Sequence, residues 1–503
     1  MNENLFDRAF GDTDLSLPFL TTIDGRRLTY SDVVDLSGRL ANALRARGVQ
    51  NGDRVAVQVE KTPEALVLYL ATVRAGAVFL PLNTAYTLNE LEYFIGDAEP
   101  RLVICDPGKA AGLAEVATKV GAAIETLDAA GKGSLMDLAD AQPSDFQTVE
   151  RKGSDLAAIL YTSGTTGRSK GAMLTHDNLV SNALALIETW RFTGKDVLLH
   201  ALPIYHTHGL FVATDTVLFS RASMIFLPKF DVDAIMRHLP QATVLMGVPT
   251  FYTRLLKHPG LTREATAHMR LFISGSAPLL AETHNEFRAV TGQAILERYG
   301  MTETNMNTSN PYDGDRVAGT VGFPLPGVSV RIADPQTGQE LPRGEIGIIE
   351  VKGPNVFSGY WRMPEKTASE FRSDGYFITG DMGVIDKRGY ISIVGREKDL
   401  IISGGFNIYP KEVEGEIDAL PGVVESAVIG VPHPDLGEGV VAVVVPKEPG
   451  ATDGEKILSA LDGRLARFKI PRRIVIADDL PRNTMGKVQK NVLRDQCKDA
   501  FAG

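Results

Sequence analysis

Cysteine and long apolar stretches are scarce in this chain of 503 residues, and each scarcity excludes a class of protein. The two cysteines, Cys105 and Cys497, are far apart and have no CxxC partner, which predicts a reducing compartment and no metal site built from cysteine. The longest apolar stretch is interrupted by Arg74, whereas a membrane-spanning helix needs about 20 apolar residues. The first residues lack the basic and apolar segments of a secretory signal. We therefore expect a cytoplasmic protein with no membrane partner.

Basic residues are also in deficit, with 52 Lys and Arg against 62 Asp and Glu, a net charge of −10. An acidic surface repels a phosphate backbone, so no nucleic-acid partner is expected, although a local basic pocket for a nucleotide remains compatible with the charge. The composition, 44% hydrophobic and 23% charged, is that of a globular protein. At roughly 100–200 residues per domain, the length predicts about three units, or one large body and a smaller one.

Short apolar runs alternate with turns and amphipathic segments over the first 310 residues. Helices are predicted at 29–48 and 87–96. Strands are predicted at 55–59, 78–82, 102–105, 156–161, 198–202, 243–246 and 271–273. Strands alternating with helices favour a parallel sheet covered on both faces, in which ligands bind beyond the carboxyl ends of the strands.

From about residue 320 the pattern changes to short runs separated by Gly, Pro and Asp, which indicates an antiparallel meander or barrel. The block beyond residue 398 has its own strands and two predicted helices. We therefore expect an α/β protein in three parts. Residues 1–396 would form a large N-terminal domain of two helix-covered β-sheets plus a small distorted β-barrel, 397–398 a hinge, and 399–503 a small mobile α+β domain.

A loop rich in glycine and hydroxyl groups follows the predicted strand 156–161. It consists of Thr162, Ser163, Gly164, Thr165, Thr166, Gly167, Arg168, Ser169, Lys170 and Gly171. Glycines let the backbone turn tightly and present N–H groups, while the hydroxyls and the lysine add donors and positive charge, so the loop suits a polyphosphate. Its spacing differs from the Walker pattern.

This loop closely resembles the phosphate loop of the adenylate-forming enzymes, which include acyl-CoA synthetases, peptide-synthetase adenylation domains and firefly luciferase. Six further stretches match motifs of that family in order: 274–278 (SGSAP), 297–303 (ERYGMTE), 376–381 (YFITGD), 395–396 (GR), 403–410 (SGGFNIYP) and 481–487 (PRNTMGK). The resemblance covers essentially the whole chain. It implies a ligase that uses ATP to activate a carboxylic acid as an adenylate and then transfers the acyl group to coenzyme A.

The resemblance also implies roles by position. Residues that would bind ATP or AMP are the loop 162–170 together with Gly275, Ser276, Ala277, Pro278, Glu297, Tyr299, Gly300, Met301, Asp381 and Arg396. Thr302 would lie near the α-phosphate, Glu303 would hold Mg²⁺, and Lys487 would be the catalytic lysine. This agrees with electrostatics, because attack of a carboxylate on the α-phosphate brings two anions together, which a metal ion and an ammonium group neutralise.

A second half-reaction must follow, in which the thiol of coenzyme A displaces AMP. The family achieves it by rotating the small domain about a hinge, which matches Lys398 here, and Gly404 and Gly405 would then lie beside the pantetheine. Some members are silenced by acetylation of the catalytic lysine, so a protein lysine acetyltransferase acting on Lys487 is a further expected partner, because acetylation removes the charge.

Three features bear on the acid. Arg254, the pair His206 and His208, and Ser276 all follow predicted strands and would open on the same sheet edge. A buried guanidinium is costly unless an anion pairs with it, so Arg254 at the base of the acid pocket argues for a second carboxylate on the substrate. The set resembles that of malonyl-CoA synthetases within the family, which implies malonate as the substrate, with methylmalonate as a second one.

Alternatives remain open on the sequence alone. Arg254 could form an ion pair on a helix surface, and one of the two histidines could be a packed core residue. No third ligand is evident for zinc. The rival functions are a coenzyme A ligase for another short acid and a non-catalytic nucleotide or carboxylate sensor. A peptide-synthetase adenylation domain is less expected, because the chain ends soon after Lys487 without a carrier domain.

Overall fold

The computed structural model describes residues 2–162, 169–404, 406–483 and 486–501. Its helices are α1 (Leu5–Phe10), α2 (Tyr30–Ala46), α3 (Pro63–Arg74), α4 (Leu88–Ala98), α5 (Pro107–Lys119), α6 (Ser134–Asp140), α7 (His176–Trp190), α8 (Thr214–Ser220), α9 (Val232–His238), α10 (Pro249–Leu255), α11 (Arg263–Thr266), α12 (Ala281–Thr291), α13 (Pro364–Ser369), α14 (Pro410–Asp418), α15 (Gly454–Leu461) and α16 (Lys490–Cys497). In the described ranges, no helix is both long enough and apolar enough to span a membrane.

The strands are β1 (Pro18–Thr22), β2 (Arg27–Thr29), β3 (Arg54–Gln58), β4 (Val78–Pro81), β5 (Leu102–Cys105), β6 (Ala123–Thr126), β7 (Leu156–Thr162), β8 (Lys170–Thr175), β9 (Val197–His200), β10 (Ser223–Phe226), β11 (Val244–Gly247), β12 (Leu271–Ser274), β13 (Leu296–Met301), β14 (Asn305–Ser309), β15 (Phe323–Pro324), β16 (Ser329–Ala333), β17 (Gly347–Lys352), β18 (Phe377–Ile385), β19 (Ile391–Arg396), β20 (Ile401–Ser403), β21 (Phe406–Ile408), β22 (Val423–His433), β23 (Gly437–Pro446) and β24 (Arg473–Ile476). A π-helical segment, His208–Ala213, precedes α8.

Two large sheets form the body of the molecule. One has the order β15-β14-β13-β12-β11-β9-β10-β1-β2 and the other β6-β5-β3-β4-β7-β8. The inner strands β9 to β13 pair in parallel, as do β3 to β6, so the prediction of parallel, helix-covered sheets is confirmed. Every residue of α3 is buried, because this apolar helix packs in the core between the sheets. The carboxyl ends of β9, β11 and β12 therefore meet at one edge.

The predicted distorted barrel is instead an open meander. The described strands β16, β17, β18 and β19 pair antiparallel in sequence order, and β16 and β19 remain the outer members. The sequence pattern of short strands does not distinguish a meander from a barrel, because only the closing pair differs. The register of β18 on β19 places Asp381 opposite Arg396, where the last strand of the meander ends.

Beyond Arg396 a short 3₁₀ turn, Glu397–Asp399, leads into a second unit with its own core. Its sheet has the order β21-β20-β23-β22, with β24 parallel to β23. It contains three α-helices within the described residues, one more than predicted. The unit also touches the body: Lys447 forms an ion pair with Glu282 at 2.9 Å. This places the turn that carries Lys487 over the edge where β9, β11 and β12 end.

Candidate active site

The predicted phosphate loop begins where β7 ends, but its residues 163–168 lie outside the described part of the chain. On its near side, the Thr162 hydroxyl is 3.5 Å from Oε1 of Glu303. On its far side, Lys170 is buried, lies 3.6 Å from the Glu370 carboxylate and stands 4.3 Å from the ring centre of Tyr360. The backbone oxygen of Ser169 accepts a hydrogen bond from Tyr93 at 2.7 Å. Both ends of the loop are thus anchored next to Glu303.

A buried carboxylate, Glu303, follows β13 and is predicted to hold the metal. Tyr360 donates a hydrogen bond to its Oε1 at 3.0 Å. Burial raises the pKa of Glu303, and the hydrogen bond from Tyr360 and the charge of Lys170 oppose that shift. A buried carboxylate beside a phosphate-binding loop suits Mg²⁺, which is commonly held by one or two carboxylates together with substrate phosphates.

Tyr299, Asp381 and Arg396 form a connected group in which the resemblance places the ribose of ATP. Tyr299 donates to Oδ2 of Asp381 at 2.6 Å, and Arg396 Nε lies 3.2 Å from Oδ1 of the same carboxylate. Burial, and next the charge of Asp381, raise the pKa of Tyr299 well above its ordinary value, so its hydroxyl stays protonated. Asp381 is held in one orientation and can accept hydrogen bonds from sugar hydroxyls.

Glu297 lies at the start of the 297–303 motif and is fully enclosed. One of its oxygens accepts a hydrogen bond from the Leu279 N–H at 3.2 Å, and Oε2 has no partner among the described residues. Burial raises the pKa of Glu297 to about 8, so at neutral pH the group is mostly a carboxylic acid, which both donates and accepts. A group that both donates and accepts suits the edge of an adenine. The resemblance implies that the adenine binds on this side of the cleft.

The turn after β12 has a strained backbone. Ser276 has φ +71, in the left-handed region that non-glycine residues rarely adopt, which makes it a functional-site candidate. Its hydroxyl is 3.1 Å from Nδ1 of His208. Ala277 and Pro278 continue the turn. Ser276 and His208, which were predicted to lie at the same sheet edge, are therefore in contact. Their hydrogen bond joins the loop after β12 to the loop after β9.

His208 is the first residue of the π-helical segment and is buried. Burial, and next the charge of Arg298, lower the pKa of His208 well below its ordinary value, so it is neutral. Its Nε2 has no hydrogen-bond partner among the described residues. His206 is nearer the cleft opening, and burial followed by the charge of Lys487 lowers its pKa to about 4. Both imidazoles are thus neutral at pH 7.

Arg254, predicted at the base of the acid pocket, lies on α10 and is exposed, whereas Phe251, Tyr252 and Leu255 are buried. Residues four apart share a helix face, so Arg254 lies on the same face of α10 as Thr250, which is close to the turn at Gly486. Its role toward the acid stays a prediction. No ion pair involving Arg254 occurs among the described residues.

A second cation, Arg298, lies within the 297–303 motif, and the sequence assigned no role to it. Its side chain is 3% exposed, and neither Nε nor Nη2 has a hydrogen-bond partner in the described part of the chain. Burial lowers the pKa of Arg298 to about 9, which still leaves it mostly charged at pH 7. A Cβ at Gly275 would collide with its guanidinium carbon, so a glycine is required where the turn passes the cation.

Further buried polar atoms without a described partner occur in the turns after β9 and β12. Ser274, opposite Glu297 in the pairing of β12 with β13, is fully buried and its hydroxyl has no partner among the described residues. The Thr207 hydroxyl and the His208 Nε2 are also buried without a hydrogen-bond partner among the described residues. Buried polar groups in folded proteins are almost always hydrogen-bonded. The unpartnered Nε and Nη2 of the buried Arg298 therefore make it a candidate to bind an anionic ligand.

Lys487 completes the cleft from the second unit. Its turn comes close to α10, because a Cβ at Gly486 would lie 3.5 Å from Thr250 Cγ2. Surrounding protein lowers the pKa of Lys487, and Arg396 lowers it further, whereas Asp381 and Glu303 raise it. The charges that influence the ammonium group thus come from the ribose group, from Glu303 and from Arg298. The structure therefore places the predicted catalytic lysine between the nucleotide side and the acid pocket.

Comparison with known proteins decides the family. A family model described as "AMP-binding enzyme" matches residues 12–361, and a model described as "AMP-binding enzyme C-terminal domain" matches residues 412–487. The chain belongs to the AMP-binding enzyme family. Among relatives, a feruloyl-CoA synthase from an Amycolatopsis species is 38% identical over 93% of this chain and 94% of its own length. A malonate–CoA ligase from Arabidopsis thaliana is 34% identical over 93% and 82%.

A solved structure of this AMP-binding family is more similar still. The ATP-bound structure of MatB from Rhodopseudomonas palustris is 67% identical, with full coverage of both chains and a TM-score of 0.98. The apo structure of the same MatB gives a TM-score of 0.88. The present structure is thus more similar to the ATP-bound form than to the apo form.

Other positions predicted from the family motifs are spread along the cleft. Gly300 must be a glycine, because a Cβ there would collide with the Asn305 carbonyl oxygen. Met301 and Thr302 are partly exposed at the turn between β13 and β14. Lys398 lies in the 3₁₀ turn between the units, where burial and the charge of Arg396 lower its pKa. Gly404 has φ +57 in the hairpin between β20 and β21, and Gly405 lies outside the described residues.

Proposed function

We propose that this member of the AMP-binding enzyme family joins malonate to coenzyme A at the expense of ATP, releasing AMP and pyrophosphate. The reaction has two steps. A carboxylate oxygen of malonate attacks the α-phosphorus of ATP and the bond to pyrophosphate breaks, which gives malonyl adenylate. The sulfur of coenzyme A then attacks the malonyl carbonyl carbon and AMP leaves.

The observation that carries the choice of acid is the buried, unpartnered guanidinium of Arg298. Relatives of this chain include ligases named for feruloyl, fatty acyl and malonyl groups, so family membership alone does not select the acid. A fatty or aromatic acyl chain would leave the Arg298 charge buried without an anion, which is strongly unfavourable. A second carboxylate pairs with it and satisfies Nε and Nη2 together. Methylmalonate carries the same two carboxylates and is the second candidate substrate.

In the first step the chain positions two anions and neutralises the charge that develops between them. Lys487 supplies an ammonium group between the nucleotide side and the acid pocket, while Asp381 would hold the ribose and Thr302 would lie near the α-phosphate. Mg²⁺ bound to Glu303 would supply charge neutralisation at the phosphates. Within the hydrogen-bonded pair of neutral His208 and Ser276 one member donates to the other, and the remaining N–H or O–H would donate to the acid without adding charge.

In the second step the thiol must enter where Lys487 now lies, so the second unit must rotate about Lys398. The hairpin that bears Gly404 supports this, because its exposed Ile402 and Phe406, with Phe468 stacked 4.6 Å from Phe406, form an apolar face turned to solvent in the present arrangement. Acetylation of Lys487 by a protein lysine acetyltransferase would remove the ammonium charge. We propose that it silences the first step, and full activity of the stoichiometrically acetylated enzyme would refute that.

The test is ATP–pyrophosphate exchange with a panel of acids: malonate, methylmalonate, acetate, butyrate, benzoate and ferulate. We expect exchange with malonate to have the highest kcat/KM and the monocarboxylates to be poor. A preference for any monocarboxylate would favour the alternative, a ligase for another short acid. Binding of ATP without exchange for any acid would favour a non-catalytic sensor.

A further inference from the structure

Lys61, just before α3, is a buried lysine without a carboxylate partner. Its side chain is 8% exposed, and no ion pair joins it to any residue that the structure describes. Instead Nζ donates to the His200 carbonyl oxygen at 2.8 Å, lies 2.9 Å from His200 Nδ1, and stands 4.2 Å from the ring centre of Phe226. Two acceptors and an aromatic face therefore surround the amine, and burial lowers its pKa well below the ordinary value.

His200, the last residue of β9, connects Lys61 to the turn at Gly209 by hydrogen bonds. It is 1% exposed, and its Nε2 lies 2.9 Å from the carbonyl oxygen of Gly209. A carbonyl only accepts, so Nε2 carries the proton and Nδ1 keeps the lone pair that accepts from Lys61. Burial and the charge of Lys61 both lower the pKa of His200, so the ring is neutral. Donation from Lys61 to Nδ1 is compatible with this tautomer and holds the ring in place.

Gly209 follows His208, which is proposed to contact the acid. The carbonyl oxygen of Gly209 also accepts a hydrogen bond from the Thr214 hydroxyl at 3.0 Å. A Cβ at Gly209 would collide with the Pro203 carbonyl oxygen, so the chain follows a narrow path through this turn. This turn begins the π-helical segment, a type of helix that appears frequently at functional sites. A change at the Gly209 carbonyl would therefore move the imidazole of His208.

We propose that Lys61 is a positioning residue for the acid pocket, acting through His200 and the Gly209 carbonyl on His208. Without Lys61, the carbonyl oxygen and Nδ1 of His200 lose their donor in a buried site, and the imidazole is free to shift. Such a shift would weaken the Nε2–H hydrogen bond to the Gly209 carbonyl and release the turn. The proposal rests on the proposed function only for the identity of the acid.

The experiment measures the KM for malonate, the KM for ATP and Tm in ATP–pyrophosphate exchange. Lys61→Met keeps the stem but removes the donor, and we expect about a tenfold higher KM for malonate, the effect of one lost hydrogen bond, with the KM for ATP unchanged within about twofold. Lys61→Gln keeps a donor and should stay near wild type. The matched control is Lys109→Met, since Lys109 also donates to a carbonyl, that of Thr84 at 2.6 Å, but beside the other sheet.

A double variant tests whether the effect of Lys61 depends on the hydrogen bond to the Gly209 carbonyl or only on the packing of the side chain. In Lys61→Met/His200→Gln, the amide can donate to Gly209 whatever Lys61 does, so the KM for malonate should return most of the way to wild type. A second disrupting variant, His200→Phe, keeps a ring against Phe226 and should raise the KM for malonate as Lys61→Met does. If Lys61→Met fails to fold, His200→Phe replaces it as the disrupting variant.

Three outcomes would overturn the proposal: an unchanged KM for malonate in both disrupting variants, equal rises in the KM for malonate and for ATP, or no recovery with His200→Gln. Failure of the proposed function is distinguishable, because then the wild-type enzyme itself would not exchange with malonate. In that case the same variants are compared with the acid that the wild-type enzyme does activate.

Discussion

Replacing Arg298 with methionine should weaken malonate activation and stabilise the free protein at the same time. In the free enzyme the guanidinium is buried and its pKa is about 9 instead of 12.5, so keeping it charged costs about 5 kcal/mol. Methionine fills much of the same volume without charge and removes that cost. Removing one partner of a buried ion pair costs about 3–5 kcal/mol, so we expect kcat/KM for malonate to fall by about a hundred- to a thousand-fold.

ATP–pyrophosphate exchange, direct ATP binding and Tm provide the assay. The Kd for ATP should stay within about threefold of wild type, Tm should rise, and the preference should move from malonate toward butyrate. The matched control is Arg254→Met, which changes an exposed guanidinium and should alter kcat/KM by less than about tenfold. The reasoning is refuted if Arg298→Met retains malonate exchange, or if Arg254→Met causes the larger loss.

Three further variants test other parts of the site. Lys487→Ala should abolish adenylate formation, measured by pyrophosphate exchange, while thioester formation from supplied malonyl adenylate continues; equal loss of both half-reactions would contradict the two-state arrangement. Glu297→Gln bears on pH: the folded pKa of about 8 is raised from 4.5, so wild-type stability falls as pH rises between these values, and Gln removes this loss. The Tm gain of Glu297→Gln should be larger at about pH 8.5 than at about pH 6, and a constant difference would show that Glu297 does not titrate there. Gly275→Ala should raise the KM for malonate, because its Cβ would displace the Arg298 guanidinium; an unchanged KM would place that cation elsewhere.

Much of the fold could be predicted because buried parallel strands have a clear local signature. The run 102–105 is a strand with those bounds, and the helix predicted at 29–48 is Tyr30–Ala46, begun by a capping box of Thr29 and Asp32. The second unit has three described helices where two were predicted, and the last, α16, has few apolar residues, of which only Leu493 is buried. Closure of the meander depends on pairing between distant strands, which local pattern does not report.

Part of the candidate site could be predicted from short motifs and part could not. Short motifs predicted Tyr299, Asp381, Arg396, Glu303 and Lys487, and the structure brings these side chains to one cleft; their individual roles stay predictions. The acid pocket is harder to predict, because local pattern does not report which side chains of neighbouring loops meet; the role of Arg254 at its base stays a prediction.

Arg298 was visible in the sequence as a cation between Leu296 and Tyr299, inside a strand that is otherwise largely buried, and that is the signal which could have found it. Lys61 gave no such signal. In the polar stretch before Pro63 it resembles a solvated turn lysine, and only tertiary packing buries it against His200.

The central claim is that a buried guanidinium receives the distal carboxylate of a short diacid. The most direct measurement is a crystal structure of the enzyme with a non-hydrolysable malonyl adenylate analogue. The account predicts that the distal carboxylate lies within about 3 Å of Nε and Nη2 of Arg298, with His208 or Ser276 in hydrogen-bond range. A distal carboxylate that reaches solvent or pairs with Arg254 would contradict it.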